Sequence, residues 1–422
     1  MPELCKEDLS TQAAPPVAAK GTKFLIFVAT GIAILGNGYV YDSIGAVAEL
    51  LSAQLHFSDL QIGLLNAIYS LPNVFVPLLG GILVDRWTGR AVTLTTALIC
   101  FVGAILTAVG SNYAVMAGGR FLIGIGAETF YVSILTAVSR WFFGRHIALL
   151  MAAIVSLGRV GSYLADRSPS FAPSFYQSGW QAPLWLAVLF SLASFAGALT
   201  YWLTDRARSP SQLAATVQPT RFPRWKDLLH FRAEFWYLAG LCVAFYSAII
   251  PFRSTFAIKY FQQAHRLALQ DASRTNSYVF LAGCLAMPLL GLLADRAKRR
   301  TVLTAIGAAA LPAAFLLLIS NRVELWVPTV LLGISYSVVP AVLWPSVALL
   351  VHANQRGTGY GMMTVIQNLG IASANVFAGW LNDWYCASAS NPEGYAPMLR
   401  FFVILSTCGV IFSALLKRRD NE

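Results

Sequence analysis

A helical membrane protein of twelve spans, arranged as two six-helix pseudo-symmetric bundles, is the fold class this sequence predicts, and three observations carry the prediction. The 422 residues are 57% hydrophobic and only 12% charged, where a soluble globular domain has about 25% charged residues. Twelve apolar stretches each approach or exceed the roughly 20 residues a helix needs to cross a bilayer. A loop sequence also repeats, GGILVDRWTGRA at 80–91 and GLLADRAKRRTV at 291–302. The repeat sets Asp85 and Asp295 at matching places in two halves.

Each stretch has its own warrant. The first, 24–51, begins behind a polar tail containing Pro15-Pro16. The second, 58–84, runs into the first D-R loop, and 91–110 resumes after it. The fourth and fifth, 113–139 and 146–166, are separated by a basic turn from Arg140 to His146. The sixth, 182–204, ends at a polar, basic segment that reads as a linker. The second half follows the same order at 235–261, 274–294, 301–319, 324–351, 357–381 and 397–416, with the second D-R loop after its second member. The expected organisation is a tail at 1–23, bundles at 24–204 and 235–417 joined by a linker at 205–234, and a tail at 418–422. Prolines fall inside spans at 72, 77, 251, 288, 340 and 345. Such helices bend where neighbours re-satisfy the backbone, or pack closely through small residues.

The net charge of +11 does not point to nucleic acid. With both termini in the cytoplasm, 21 Lys and Arg fall in the tails and cytoplasmic loops and five in the opposite loops. That is the positive-inside asymmetry of a polytopic protein. Arg120, Arg159, Arg253 and Lys259 lie within spans. The six cysteines form no close pair, the five histidines are not at ligand spacing, and GIGAE lacks the preceding strand of a dinucleotide site. No metal, cofactor or enzymatic activity is expected. The first 20 residues hold no apolar core, so no cleaved signal peptide is expected.

The costly residues are the informative ones. Glu128 in GRFLIGIGAETF and Arg159 in SLGRVGS sit deep in adjacent apolar stretches, each about 15 residues from the midpoint of the turn joining them. At 1.5 Å per residue both lie about 23 Å from the same membrane face. A charge near mid-bilayer costs at least about 2.5 kcal/mol and usually lines a cavity, pairs or does work. A structural ion pair between two helices is the plain alternative to a substrate site. Shifting Arg159 by the repeat lands beside Gln367-Asn368, and parallel six-helix repeats place their site between the halves. Asp42 lies about 18 residues into the first span, facing the far half of the cavity or pairing with Arg253. Tyr41, Tyr336 and Trp344 wall the cavity or serve as packing and interface anchors. Asn276 is a further buried polar candidate, with interhelical hydrogen bonding as its plain reading. Arg120 steers a proton, together with Asp42, or bonds backbone in a bend. Asp85, Arg86 and Arg90, with Asp295, Arg296 and Arg300, form paired loops at equivalent helix ends and read as a gate.

GGILVDRWTGR resembles the loop motif of the major facilitator superfamily, and Arg120, Gly124 and Gly126 in RFLIGIG resemble its fourth-helix motif. Within that superfamily the chain most resembles the lysosomal dipeptide uniporter branch. The matching stretches are VYDSIGAVAELL, LLNAIYSLPNVFVPLLGGILVDR, GRFLIGIGAETF, SLGRVGS, LLGISYSVVPAVLWPSVALL and GTGYGMMTVIQNLG. The resemblance implies that Glu128 and Arg159 face the substrate. A dipeptide presents an ammonium to a glutamate and a carboxylate to arginine's planar fork.

The expected function is alternating-access transport of dipeptides, with uniport as the default. A proton-coupled carrier of organic acids, amino acids or drugs is the alternative, and a non-transporting receptor fits least, since no long loop offers a signalling domain. The expected partners are a small zwitterion and the lipid bilayer. A monomer is expected, with an accessory subunit left open. The tail lacks an acidic dileucine signal, so a bacterial plasma membrane is expected ahead of a lysosomal one.

Overall fold

The computed structural model describes residues 20–76, 89–142, 147–206, 231–296, 300–351 and 356–419. Within these, the first half holds α1 (Lys20–Leu55), α2 (Asp59–Ser70), α3 (Gly89–Val109), α4 (Tyr113–Trp141), α5 (Ile147–Phe171) and α6 (Gln181–Arg206). The second half holds α7 (Ala233–Pro251), α8 (Leu269–Arg296), α9 (Arg300–Ser320), α10 (Trp326–Leu350), α11 (Arg356–Trp384) and α12 (Ala396–Arg419). Helix α7 continues through a π-helical segment, Phe252–Phe256, into Ala257–His265. Seven described helices are long and apolar enough to cross a membrane. The others hold more polar residues or run into residues outside the described ranges.

Local chemistry sets the helix ends. Ser58 caps α2, accepting from the Gln61 amide while the Gln61 side chain returns to the Ser58 amide, a reciprocal capping box. Asn112 caps α4 by accepting from the Ala114 amide. Arg266 adopts a left-handed conformation (φ 55°) to end the α7 extension, the terminator that frees the chain to turn back. Within the first half α1 packs on α5 and α6, and α4 on α3. In the second, α10 packs on α8 and α9, and α12 on α7 and α9.

The start of α1 and the end of α12 mark one end, here the terminal end, and the halves meet at the opposite, far end. There Lys259 of the α7 extension pairs with Asp59 (2.5 Å) and donates to Ser52 (2.7 Å). Asn382 of α11 donates to the other Asp59 oxygen at 2.8 Å. The Asp383 carboxylate accepts from the Asp59 and Leu60 amides at 2.8 and 2.9 Å, so the second half caps a first-half helix. Gln263 donates to Glu49 (2.6 Å) and accepts from Tyr395. Glycines let α2 and α11 approach this closely: a Cβ on Gly63 would collide with the Asn375 carbonyl, and one on Gly379 with that of Asp59.

Of the expected gate, Asp85 and Arg86 lie outside the described residues, and for Asp295, Arg296 and Arg300 only the backbone is described. Arg90 donates to the Asp205 carbonyl at 3.1 Å and lies 3.9 Å from its carboxylate. Trp141 donates to the same carboxylate at 2.9 Å. Asp205 thus ties α6 to α3 and α4 inside the first half.

Candidate functional site

A cavity of about 290 Å³ lies between the halves, at the small end of the range for small-molecule sites. Helix α1 contributes Asn37, Tyr41 and Asp42, α4 contributes Glu128 and Tyr131, and α5 contributes Arg159 and Ser162. From the second half come Tyr246, Arg253, Phe280, Tyr336, Gln367 and Asn368. Eight expected site residues therefore line this one cavity: Tyr41, Asp42, Glu128, Arg159, Arg253, Tyr336, Gln367 and Asn368.

Their placement follows from helix geometry. Glu128 and Tyr131 are three residues apart on α4, and Arg159 and Ser162 three apart on α5, so each pair presents one face. The Arg159 guanidinium sits 5.3 Å from the centroid of the Tyr336 ring, a cation–π approach across the halves. Gln367 accepts a long contact from the Cys242 thiol (3.9 Å). The Asn368 amide donates to the Thr364 carbonyl one turn back.

Asp42 and Arg253 form an ion pair of 2.6 Å with side chains 0% and 1% exposed. This is the pairing alternative for Asp42, and both residues also border the cavity. Arg253 stands on the π-helical segment, a widened turn found mostly at functional positions. The Asn276 amide donates to the Arg253 carbonyl at 3.0 Å, and the guanidinium lies 4.1 Å from the centre of the Phe280 ring.

Three expected residues sit behind the cavity wall. Asn276 is fully buried beneath Arg253. Trp344 donates to the Tyr246 hydroxyl at 3.0 Å and stacks with Tyr360, supporting a tyrosine that does line the cavity. Arg120 is fully buried and donates to the Val40 and Tyr41 carbonyls at 3.2 and 3.3 Å and to the Asn66 side chain. That is the backbone-bonding arrangement, and it ties α4 to α1 and α2.

Sequence reasoning missed a polar chain that crosses between the halves. Asn66 donates to Thr255 at 2.7 Å, and Thr255 to Asn375 at 2.7 Å. It also missed Asp166, which is buried and whose Oδ2 has no hydrogen-bond partner among the described residues. A signal for Asp166 was available, since it lies seven residues beyond Arg159 on the same face of α5. No His, Cys, Asp and Glu cluster suited to a metal occurs among the described residues.

An all-helical, two-half membrane protein with a small charged cavity at the junction of its halves is a secondary transporter in architecture. The profile of the Major Facilitator Superfamily matches residues 26–375, and the chain belongs to that superfamily. The chain is similar to the lysosomal dipeptide transporter MFSD1 of Mus musculus, 28% identical over 92% of this chain and 84% of that protein. The Danio rerio counterpart is 29% identical over 90% and 83%. A solved bacterial homologue of the human lysosomal transporter Spinster, inward-facing and unoccupied, superposes with TM-score 0.76 at 16% identity, covering 95% of this chain and 98% of that one. The nucleoside transporter NupG gives 0.71 at 16% identity, covering 94% and 98%. The protein is an integral, multi-pass membrane transporter and not an enzyme.

Proposed function

We propose that this protein carries dipeptides across a membrane by alternating access, with Glu128 holding the substrate ammonium and Arg159 its carboxylate. The observation that carries this reading is that Glu128 and Arg159, on different helices, border the same small cavity. Similarity to dipeptide transporters over most of the chain supports it. Two fixed charges measure the peptide backbone and leave side chains unselected, so broad dipeptide specificity follows. A zwitterion satisfies both charges, so the cargo site itself needs no proton and by itself supports uniport. In the state described the halves are joined at the far end, and in our reading cargo exchanges at the terminal end. The basic residues near that end support its placement in the cytoplasm, and a bacterial plasma membrane remains our reading for its location.

Substrate-induced thermal stabilisation tests the reading, since a ligand that binds only the folded state stabilises by RT ln(1 + [L]/Kd). Dipeptides of differing side chains should raise the melting temperature of the purified protein. N-acetylated and C-amidated dipeptides, single amino acids and monocarboxylates should raise it far less. Stabilisation by monocarboxylates, with none by dipeptides, would overturn the substrate class.

A further inference from the structure

The charged groups assigned to the cargo, Glu128 and Arg159, both belong to the first half. Apart from Arg253, which is engaged with Asp42, the second half faces them with neutral side chains. Five tyrosines border the cavity: Tyr41, Tyr69, Tyr131, Tyr246 and Tyr336. Among the described residues, Tyr246 of α7 is the one of these whose hydroxyl is held by another side chain. The Trp344 indole N–H of α10 donates to it at 3.0 Å. That indole is fixed in turn from α11. The Tyr360 ring stacks on it, with centroids 6.1 Å apart and 19° between planes, and the Tyr360 hydroxyl donates to the Trp344 carbonyl at 3.1 Å.

Donors and acceptors decide what this arrangement offers. An indole N–H only donates, whereas a phenol carries one hydrogen and accepts through its oxygen. The Trp344 contact therefore fills an acceptor position of Tyr246 and leaves the hydroxyl hydrogen to go elsewhere. No acceptor for that hydrogen occurs among the described residues. Tyr246 is only 7% exposed and borders the cavity, so the direction left to the hydrogen is the cavity. Buried tyrosine hydroxyls ordinarily find a partner. Nearby polar groups are already engaged: Ser162 donates to the Gly38 carbonyl at 3.4 Å, and the Asn368 amide to the Thr364 carbonyl at 3.0 Å.

The group that matches this donor is the cargo carboxylate. A carboxylate offers about four lone-pair sites, and the guanidinium fork fills two of them. The others lose water inside the cavity. A donor oriented before binding meets them without the cost of ordering a side chain, and a charged acceptor takes the stronger bond. We propose that Tyr246 is a cargo-binding residue that donates its hydroxyl hydrogen to the substrate carboxylate beside Arg159, with Trp344 as the positioning residue that aims it. This role rests on the placement of the carboxylate at Arg159 and adds a second-half contact to it. The cargo is then held from both halves at once, by α4 and α5 of the first and α7 of the second.

The test is the affinity of the purified protein for three probes, read by thermal-shift titration. Tyr246→Phe removes the hydroxyl and keeps the ring. Its affinity for alanyl-alanine should fall by about tenfold or more, the contribution of one hydrogen bond to a charged group. N-acetyl-alanyl-alanine keeps the carboxylate and should lose the same factor. Alanyl-alaninamide replaces the carboxylate with a neutral acceptor and should lose much less. Trp344→Phe keeps the hydroxyl but frees it to turn, and should show the same order of probes with smaller losses. Unchanged affinity of Tyr246→Phe for alanyl-alanine would overturn the proposal. So would equal losses across the three probes in either variant, the result of a merely structural role. Failure of alanyl-alanine to bind wild-type protein would count against the dipeptide reading alone. The donor is then read with propionate, which needs only the carboxylate site: wild-type protein should bind it, and Tyr246→Phe about tenfold more weakly. Equal propionate binding by the two proteins, or none by either, would then overturn the proposal.

Discussion

Arg159 bears the most demanding geometry of any single residue in this account. A carboxylate held by two parallel guanidinium donors cannot be held so by an ammonium. Arg159→Lys keeps the charge and should still weaken dipeptide binding by roughly tenfold to a hundredfold, the equivalent of about 1.5–3 kcal/mol for a charge-assisted hydrogen bond. Titration by thermal shift reads this directly, and an unchanged affinity would remove the carboxylate role. Glu128 and Arg159 were legible in the sequence because each interrupts a long apolar run, where a charge is expensive. Asp59 was not, and Asp166 carried only its spacing from Arg159, because each lies near the end of a span and reads as the start of a loop. The partner of Asp59 in space, Lys259, is remote in sequence, and hydropathy carries no trace of that pairing.

At the scale of elements, α2 and α11 form the closest seam between the halves, and the glycines at 63 and 379 permit it. Gly63→Leu places a side chain against the Asn375 carbonyl, and overpacking of this kind costs about 1–3 kcal/mol. The cost falls on the far-closed state alone, so the variant should populate the far-open state. The distance between spin labels on Ala53→Cys and Ala268→Cys, both exposed at the far end, should then be longer than in protein that keeps Gly63, and an equal distance would contradict this role. Hydropathy made the twelve helices legible, since a span must be apolar along its length. The π segment was not legible. Pro251 marks a disturbance in α7, but the wider turn depends on Asn276 donating to the Arg253 carbonyl and on Ser254 meeting Gly45 of α1. Both contacts are tertiary.

For the whole molecule, the repeated D-R loop exposed the two-half architecture before any contact was known. The end at which the halves close was beyond the sequence, because one chain encodes both the open and the closed interface. Asp59–Lys259, the Asp383 cap on α2 and Asp42–Arg253 fix the closed end in this state. On the proposed function, Glu128 and Arg159 serve the cargo, apart from the Asp42–Arg253 pair of the junction. Counterflow of labelled alanyl-alanine by the purified protein, compared with its Glu128→Gln variant, tests the central claim most directly. Wild-type protein should exchange the dipeptide without any accessory component, and Glu128→Gln should reduce the initial rate by at least about tenfold. Equal rates in the two proteins, or no wild-type exchange, would contradict dipeptide recognition by this charged pair.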